Sequence, residues 1–320
     1  IKVDREERPD LDEIYMNAVN AMTGGGGWPL SVFLTPDLKP FYGGTYFPPY
    51  GVYDMPSFLD VLQQIVSIWH HEPSRAQSTA EQLTARLRMQ VESRSSRADF
   101  PVDELRAVAA TQLESSYDEH WGGWGEAPKF PSPASIVFLL RHYKRTGKRS
   151  LLDMAVSTLK KMAFGGLHDH IGGGFHRYST DEKWRVPHFE KMLYDNAQLA
   201  VSYLEAWQVT HDPVFKSVAC DTLAYVLRDM RGEYGAFYSS EDADSEGEEG
   251  RYYLWTRQDI INSLGEEDGN EFCRVYSVLE EGNFTSRETY HQGQNILFRN
   301  ASENDCSEEN GTRYAVLREK

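Results

Sequence analysis

The chain has 320 residues, 49 of them Asp or Glu against 33 Lys or Arg, a formal net charge of −16. That balance opposes attraction to phosphate backbones and anionic bilayers, so nucleic-acid and membrane-surface roles are set aside, and no run of about 18 apolar residues is present to span a bilayer. Eighteen Tyr, fifteen Phe and seven Trp demand a folded chain, roughly two domains by length, while Cys220, Cys273 and Cys306 are too far apart for a C-x-x-C pair and odd in number.

Ile1 to Asp4 is short, partly β-branched and reads as a strand, followed by a charged turn and a helix over about 11–22. Opening on Ile1 inside a strand, the sequence reads as an internal fragment, for which a cytoplasmic location is expected and secretion stays open. Gly24 to Gly27 break the helix, and Pro29 precedes Leu30 to Leu34, a compact apolar run that fits a buried strand. Thr35 to Pro40 supplies turn chemistry before Phe41 and Tyr42, so a β-hairpin is expected. Strand, helix, glycine break, proline, strand, turn and strand is the second half of a thioredoxin-like unit, with Pro29 the candidate for a cis peptide bond. Helical periodicity then runs over about 55–93, and the polar segment Ser93 to Asp99 reads as a linker.

Past Pro101, helical runs over about 102–116, 132–147, 150–164, 188–209 and 213–230 alternate with glycine-aromatic loops. The loops are Trp121 to Gly125, Gly172 to Phe175, and Tyr234 to Tyr238. Two helices per period of about 50–60 residues is the pattern of stacked helical hairpins, of which an α/α toroid is a closed form. A six-hairpin ring needs about twelve helices and six or seven are legible, so the ring is expected to be incomplete. The expected fold class is α+β multidomain: a partial thioredoxin-like α/β domain over 1–75, a helical linker over 76–100, and over 101–320 the first part of an (α/α)6 toroid.

Chemistry concentrates around 167–196, which holds His168, His170, His176 and His188. His168, Asp169, His170 and His176 have metal-ligand chemistry but match no helical i, i+4 zinc spacing, so no metal and no cofactor is assigned. Gly172 to Gly174 form neither a dinucleotide fingerprint nor a P-loop. Pro187 fits a first helical position, and Phe189, Leu193, Ala197, Ala200, Leu204 and Trp207 then make an apolar core stripe. His188, Lys191 and Asp195 share the opposite face, His188 and Asp195 roughly 10 Å apart along the axis. On an inner toroid helix that face looks onto a cavity; on a surface helix it is simply solvated. Phe175, Arg177, Tyr178 and Trp184, with His176, combine stacking rings with charged groups, which suits a polyhydroxylated ring ligand or, equally, the capping of helix packing. Six acids fall within 239–249, in no EF-hand register; Asp242 and Asp244 are candidate acids or bases beside the reading as a solvated loop. Asn283, Asn300 and Asn310 lie in N-x-[ST] sequons, too common to locate the protein.

Several segments carry a resemblance: Ile1 to Asp10, Gly25-Gly26-Gly27-Trp28-Pro29 with Thr35-Pro36, Gly43 to Pro49, Gly173 to Asp181, Val186 to Leu199, and Ser240 to Ser245. In order and spacing they resemble the spermatogenesis-associated protein 20 family, which has uncharacterised bacterial homologues. The resemblance implies a thioredoxin-like domain followed by a toroid similar to N-acylglucosamine 2-epimerase and related glycosidases, and a role in spermatogenesis or fertility. It also implies a Cys-x-x-Cys upstream of Ile1, so thiol chemistry falls to no residue present. The functional expectation is a toroid that binds or acts on a small carbohydrate, as an epimerase or glycosidase does. Its catalytic candidates are His188, His176, Asp195, Asp242 and Asp244, and its substrate-binding candidates Phe175, Arg177, Tyr178, Trp184, Glu190 and Tyr194. The alternatives are a non-catalytic scaffold and a thioredoxin-like redox protein; protein partners are not assigned.

Overall fold

A computed structural model describes residues 1–5, 7–51, 55–94, 101–284 and 293–299. Two compact units emerge, Ile1–Asp99 and Phe100–Lys320, and each is taken by itself. Cys306, Asn300, Asn310 and part of the expected linker at 93–99 lie outside the described residues.

In the first unit, residues 1–4 are exposed coil where a strand was expected. A strand needs a neighbour to take up its backbone groups, and the sheet of this unit holds β1 (Ser31–Leu34) and β2 (Pro40–Gly44) alone among the described residues. Helix α1 (Pro9–Thr23) starts on a proline, whose missing N–H costs nothing in the first turn, and stops at Gly24, held at φ 82° with its N–H donating to the Asn20 carbonyl. The strands form the expected hairpin, with Ser31 opposite Gly44 and Phe33 opposite Tyr42. The Trp28–Pro29 peptide is cis, as expected, and Ala127–Pro128 is cis where no such bond was expected. Gly43 is required by the close approach of α1: a Cβ there would sit 2.9 Å from Val19 Cγ2 and 3.0 Å from the Ser31 carbonyl.

The helical run over 55–93 is two helices, α2 (Phe58–His71) and α3 (Pro73–Arg94), divided at Glu72 because Pro73 cannot donate into a continuing helix. A capping box fixes the start of α2, Ser57 accepting from the Asp60 N–H and Asp60 accepting from Ser57. Ala76 and Ala80 of α3 pack with Phe41, Ile65 and Trp69, so the first turns of the expected linker supply core to this unit.

The second unit holds α4 (Val102–Ser115), α5 (Pro133–Thr146), α6 (Arg149–Phe164), α7 (Leu193–Thr210), α8 (Pro213–Arg228), α9 (Arg257–Leu264) and α10 (Glu266–Val275). The alternate helices α5 and α7 pack on each other, with α6 against both and α8 against α7. That is the layering of stacked hairpins, built on a core that includes Leu139, Leu159, Phe175, Trp184, Leu199, Tyr203 and Phe215. Helices α9 and α10 lie beyond the five ranges read from the sequence and bring the number to the upper end of the expected six or seven; their short apolar pattern closes a separate core around Ile260, Phe272 and Tyr276.

Helix α7 starts later than the sequence suggested. Two-residue strands occupy the preceding stretch: β3 (Tyr178–Ser179) pairs with β4 (Pro187–His188), and β5 (Lys191–Met192) with β6 (Ser240–Glu241). Four further ones follow, β7 (Asp244–Ser245) on β8 (Glu248–Glu249), and β9 (Trp255–Thr256) on β10 (Gln294–Asn295). Pro187 is therefore a strand residue, and His188, Lys191 and Asp195 do not share a helix face. The expected apolar stripe fails for the same reason. The buried face of α7 is Asp195, Asn196, Leu199, Ala200, Ser202, Tyr203 and Ala206, while Ala197 and Leu204 are exposed. Its phase is set by the fully buried Asn196, which accepts from the Phe175 N–H and donates to the carbonyls of Phe175 and Met192.

The three glycine-aromatic loops follow α4, α6 and α8, and each closes with an antiparallel bridge: Tyr117 with Trp124, His168 with Phe175, Arg231 with Phe237. The first two are copies of one device. Asp118 Oδ1 accepts from the N–H groups of His120 and Trp121, as Asp169 Oδ1 does from those of Ile171 and Gly172. A buried lysine then meets the other carboxylate oxygen, Lys129 on Asp118 at 2.5 Å and Lys191 on Asp169 at 2.7 Å. In both, the second of two glycines with positive φ lies against an aromatic ring, Gly123 on Trp184 and Gly174 on Tyr225, where a Cβ would come within 2.6 Å and 2.3 Å.

Candidate functional site

That repetition decides the role of Lys191. The sequence put it beside His188 as a cation facing a cavity. It is instead buried, donating to Asp169 Oδ2 and to the Gly173 carbonyl at 3.0 Å, with its ammonium 4.3 Å from the Tyr225 ring centre and 4.9 Å from that of Tyr253. Burial alone would push the Asp169 carboxyl up; the charge and hydrogen bond of Lys191 outweigh it and hold the group well below the usual carboxylate range. Because Lys129 does the same for Asp118, the pair is a fastening of the loop.

Around this fastening the predicted residues separate into two groups. His176 belongs to a cavity of about 250 Å³ lined by His168, Asp169, His170, Phe189, Tyr252, Tyr253, Trp255, Ile296 and Leu297 among others. Each imidazole is tied at one nitrogen: His168 Nε2 to Asp221 at 3.1 Å, His170 Nε2 to the Gly165 carbonyl at 2.9 Å, His176 Nδ1 to the Phe189 carbonyl at 2.9 Å. Burial, with the nearby charge of His168 for His170 and of Lys191 for His176, lowers both to about 3. They are neutral at pH 7, so they are weak bases and good acceptors. Among the described residues no cluster of three or more His, Cys, Asp or Glu is arranged to hold a metal ion. Of the cysteines, Cys220 is exposed and Cys273 buried.

The second group is charged and partly open to solvent. His188 and Glu190 turn to one side of an extended segment, and Phe189 between them turns into the cavity, as the two-residue alternation of extended chain requires. His188 Nδ1 meets Glu249 at 2.7 Å, its ring stacks on Tyr178 with centroids 5.0 Å apart, and Glu190 pairs with Arg177 at 2.8 Å. Burial, together with Glu249, raises the Tyr178 hydroxyl pKa. Asp195, in the first turn of α7, is 9% exposed, and its Oδ2 is buried with no hydrogen-bond partner. Burial lifts its pKa to about 7; Arg177 pulls down and Glu190 pushes up. His188, Arg177, Tyr178, Glu190 and Asp195 are thus brought together, with the exposed Tyr194 beside Asp195 in sequence.

The remaining candidates lie elsewhere. Phe175 and Trp184 are fully buried in the core and offer no ring face to a ligand; Trp184 donates from Nε1 to the Trp121 carbonyl at 2.9 Å. Asp242 and Asp244 are exposed, and Asp242 accepts from the Asp244 N–H within its own turn. Sequence reasoning missed Glu249, hidden in the acidic run, together with Tyr253 and Asp221; nothing in their local sequence signals a partner 61 residues away in the case of Glu249 and His188.

The pH dependence of stability separates the two groups. His170 and His176 have folded values below 6.5, so their stabilising effect is complete above pH 6.5 and is lost as pH falls toward 3. Asp195 has a folded value above 3.8, so its burial costs nothing below that pH and increasingly destabilises as pH rises to about 7. Asp195→Asn is therefore expected to be neutral near pH 4 and stabilising by about 1–3 kcal/mol at pH 8. Urea midpoints of the two proteins across that range check it.

Residues 1–88 match the family model Thioredox_DsbH, described as a protein of unknown function, DUF255. Spermatogenesis-associated protein 20 of Homo sapiens is 42% identical over 93% of this chain and 41% of its own length. The same-named protein of Rattus norvegicus is 40% identical over 99% of this chain and 43% of its own. The chain belongs to the spermatogenesis-associated protein 20 family. It spans less than half the length of these relatives, and it carries a thioredoxin-like segment followed by a helical-hairpin region. Among solved structures, a sugar epimerase from a ruminal bacterium aligns at TM-score 0.39 and 14% identity, over 53% of this chain and 52% of that one. A cellobiose 2-epimerase from Spirochaeta thermophila aligns at TM-score 0.39 and 16% identity, over 46% and 41%. Scores this low carry no argument about chemistry. No helix among the described residues is long and apolar enough to cross a membrane.

Proposed function

We propose that the charged cluster on segment 188–195 is a proton-transfer site acting on a carbohydrate. The observation that carries the reading is Asp195, a buried carboxyl without a partner for Oδ2, lifted to about 7 and placed beside the Arg177–Glu190 pair. A group that holds its proton near neutrality is the acid such chemistry needs. His188 supplies the base. Its Nδ1–H donates to Glu249, which fixes the tautomer and leaves Nε2 free as an acceptor, 3.7 Å from Glu190 and so beyond hydrogen-bond distance. Arg177 and Glu190 offer a donor and an acceptor for sugar hydroxyls, and the exposed Tyr194 ring offers an apolar face.

The experiment is hydrogen exchange in D2O. A panel of reducing sugars and uronates is incubated with the chain, and deuterium entry at ring carbons is followed by NMR. Incorporation into one member, abolished by His188→Gln, is the expected result. If no sugar gains deuterium and none raises the melting temperature, the reading is wrong.

A further inference from the structure

We propose that the histidine-lined cavity of the second unit is a separate binding site for a small uncharged polyol, held by two imidazole acceptors. The starting point is the pair His170 and His176, 6% and 2% exposed, which line the cavity and are each tied at one ring nitrogen. A buried ring nitrogen left with its lone pair is an acceptor that a ligand donor would satisfy.

The partners already present fix what that donor must be. A carbonyl oxygen only accepts, so His170 donates from Nε2 and His176 from Nδ1, and Nδ1 of His170 and Nε2 of His176 are left as lone pairs. The cavity thus gathers two imidazole acceptors and asks for more than one donor on one small molecule.

Charge narrows the choice. Lys191, its ammonium over the Tyr253 ring, disfavours positive charge at His176, and the Asp169 carboxylate in the lining favours it; the two are paired with each other at 2.7 Å, so neither is left to hold an ion. An anion would face the two imidazole lone pairs and that carboxylate. What remains is a neutral molecule with hydroxyl donors. The opposite walls fit its carbon skeleton: Phe189 and Tyr253 stack with centroids 5.7 Å apart, and Trp255, Ile296 and Leu297 complete an apolar surface. A volume of about 250 Å³ holds roughly eight waters at about 30 Å³ each, which limits the ligand to about one small ring or a short chain. Tyr252, largely exposed, stands at the edge of this lining.

This site does not depend on proton transfer at Asp195, and its test reads binding alone. The full chain is labelled with nitrogen-15, and long-range proton–nitrogen spectra of the histidines are recorded during titration with xylitol and with myo-inositol. The expected result is a saturable shift of the unprotonated nitrogens of His170 and His176 with one of them, with His188 unmoved. His176→Phe keeps a ring and removes one acceptor, and is expected to weaken binding roughly 3- to 10-fold. Because the spectra use the unaltered protein, the conclusion stands even where that variant fails to fold. No saturable shift up to about 10 mM, or shifts produced by tetramethylammonium or inorganic phosphate in place of the polyols, would overturn the proposal. Failure of deuterium exchange at ring carbons would count against the acid–base reading and leave this one intact.

Discussion

Asp169→Ala is expected to destabilise the helical-hairpin unit by about 3–5 kcal/mol, because it leaves the Lys191 ammonium buried without its counter-charge. Lys191 is 1% exposed, and its remaining polar contact is the Gly173 carbonyl. The two N–H groups of Ile171 and Gly172 lose their acceptor at the same time. Asp169→Ala with Lys191→Met is expected to recover a large part of the loss, since the pair then leaves together and no charge stays behind. Asp118→Ala removes the equivalent acceptor from Lys129, but Asp118 is 24% exposed at its side chain against 10% for Asp169, so water can reach that lysine's neighbourhood and the expected loss is smaller. Urea denaturation followed by tryptophan fluorescence orders the three. An Asp118 variant worse than the Asp169 variant would contradict the ranking. The sign with pH follows from the depressed carboxyl: the Asp169 contribution is complete above its ordinary value of 3.8 and is lost as pH falls below it.

The loop fastening shows what kind of information a sequence carries. The recurrence of Gly-Gly before an aromatic residue was legible, because positive φ and close packing select glycine locally. The lysine that completes each copy was not. Lys129 lies 11 residues after its aspartate and Lys191 lies 22 residues after its own, so no fixed offset marks the pair, and only the fold makes them equivalent. The start of α7 was misplaced for a related reason. Pro187 is as good a strand-end residue as a helix N1 residue, and the choice was made by pairing of Tyr178 with His188 and of Lys191 with Glu241 across the chain. Moving the start rotated every side chain of 188–195, which took Lys191 out of the expected site and Asp195 into a different environment. Hairpin periodicity, the β1–β2 turn and the break at the first glycines depend on neighbours in sequence and were read correctly; the partners of His188 and His168 depend on Glu249 and Asp221 and were not.

Asp195→Asn is expected to reduce sugar hydrogen exchange by about 10²- to 10⁴-fold, the range for removal of one positioned acid or base. Asparagine has nearly the same shape and volume, so the packing of α7 against its neighbours is retained while the transferable proton is gone. In the unaltered chain the reaction needs Asp195 protonated, so the rate is expected to fall as pH rises through about 7, and in the variant this limb disappears from the residual rate. A purely structural role would lower the rate at all pH values and leave the limb in place. Arg177→Lys sharpens the distinction. Arg177 lowers the Asp195 value, and its pairing with Glu190 relieves the opposite influence of that carboxylate. A lysine keeps the charge but loses the planar fork that positions it. The limb should then move to a pH above about 7 while the plateau rate at low pH changes far less than in Asp195→Asn, because the acid itself is still present.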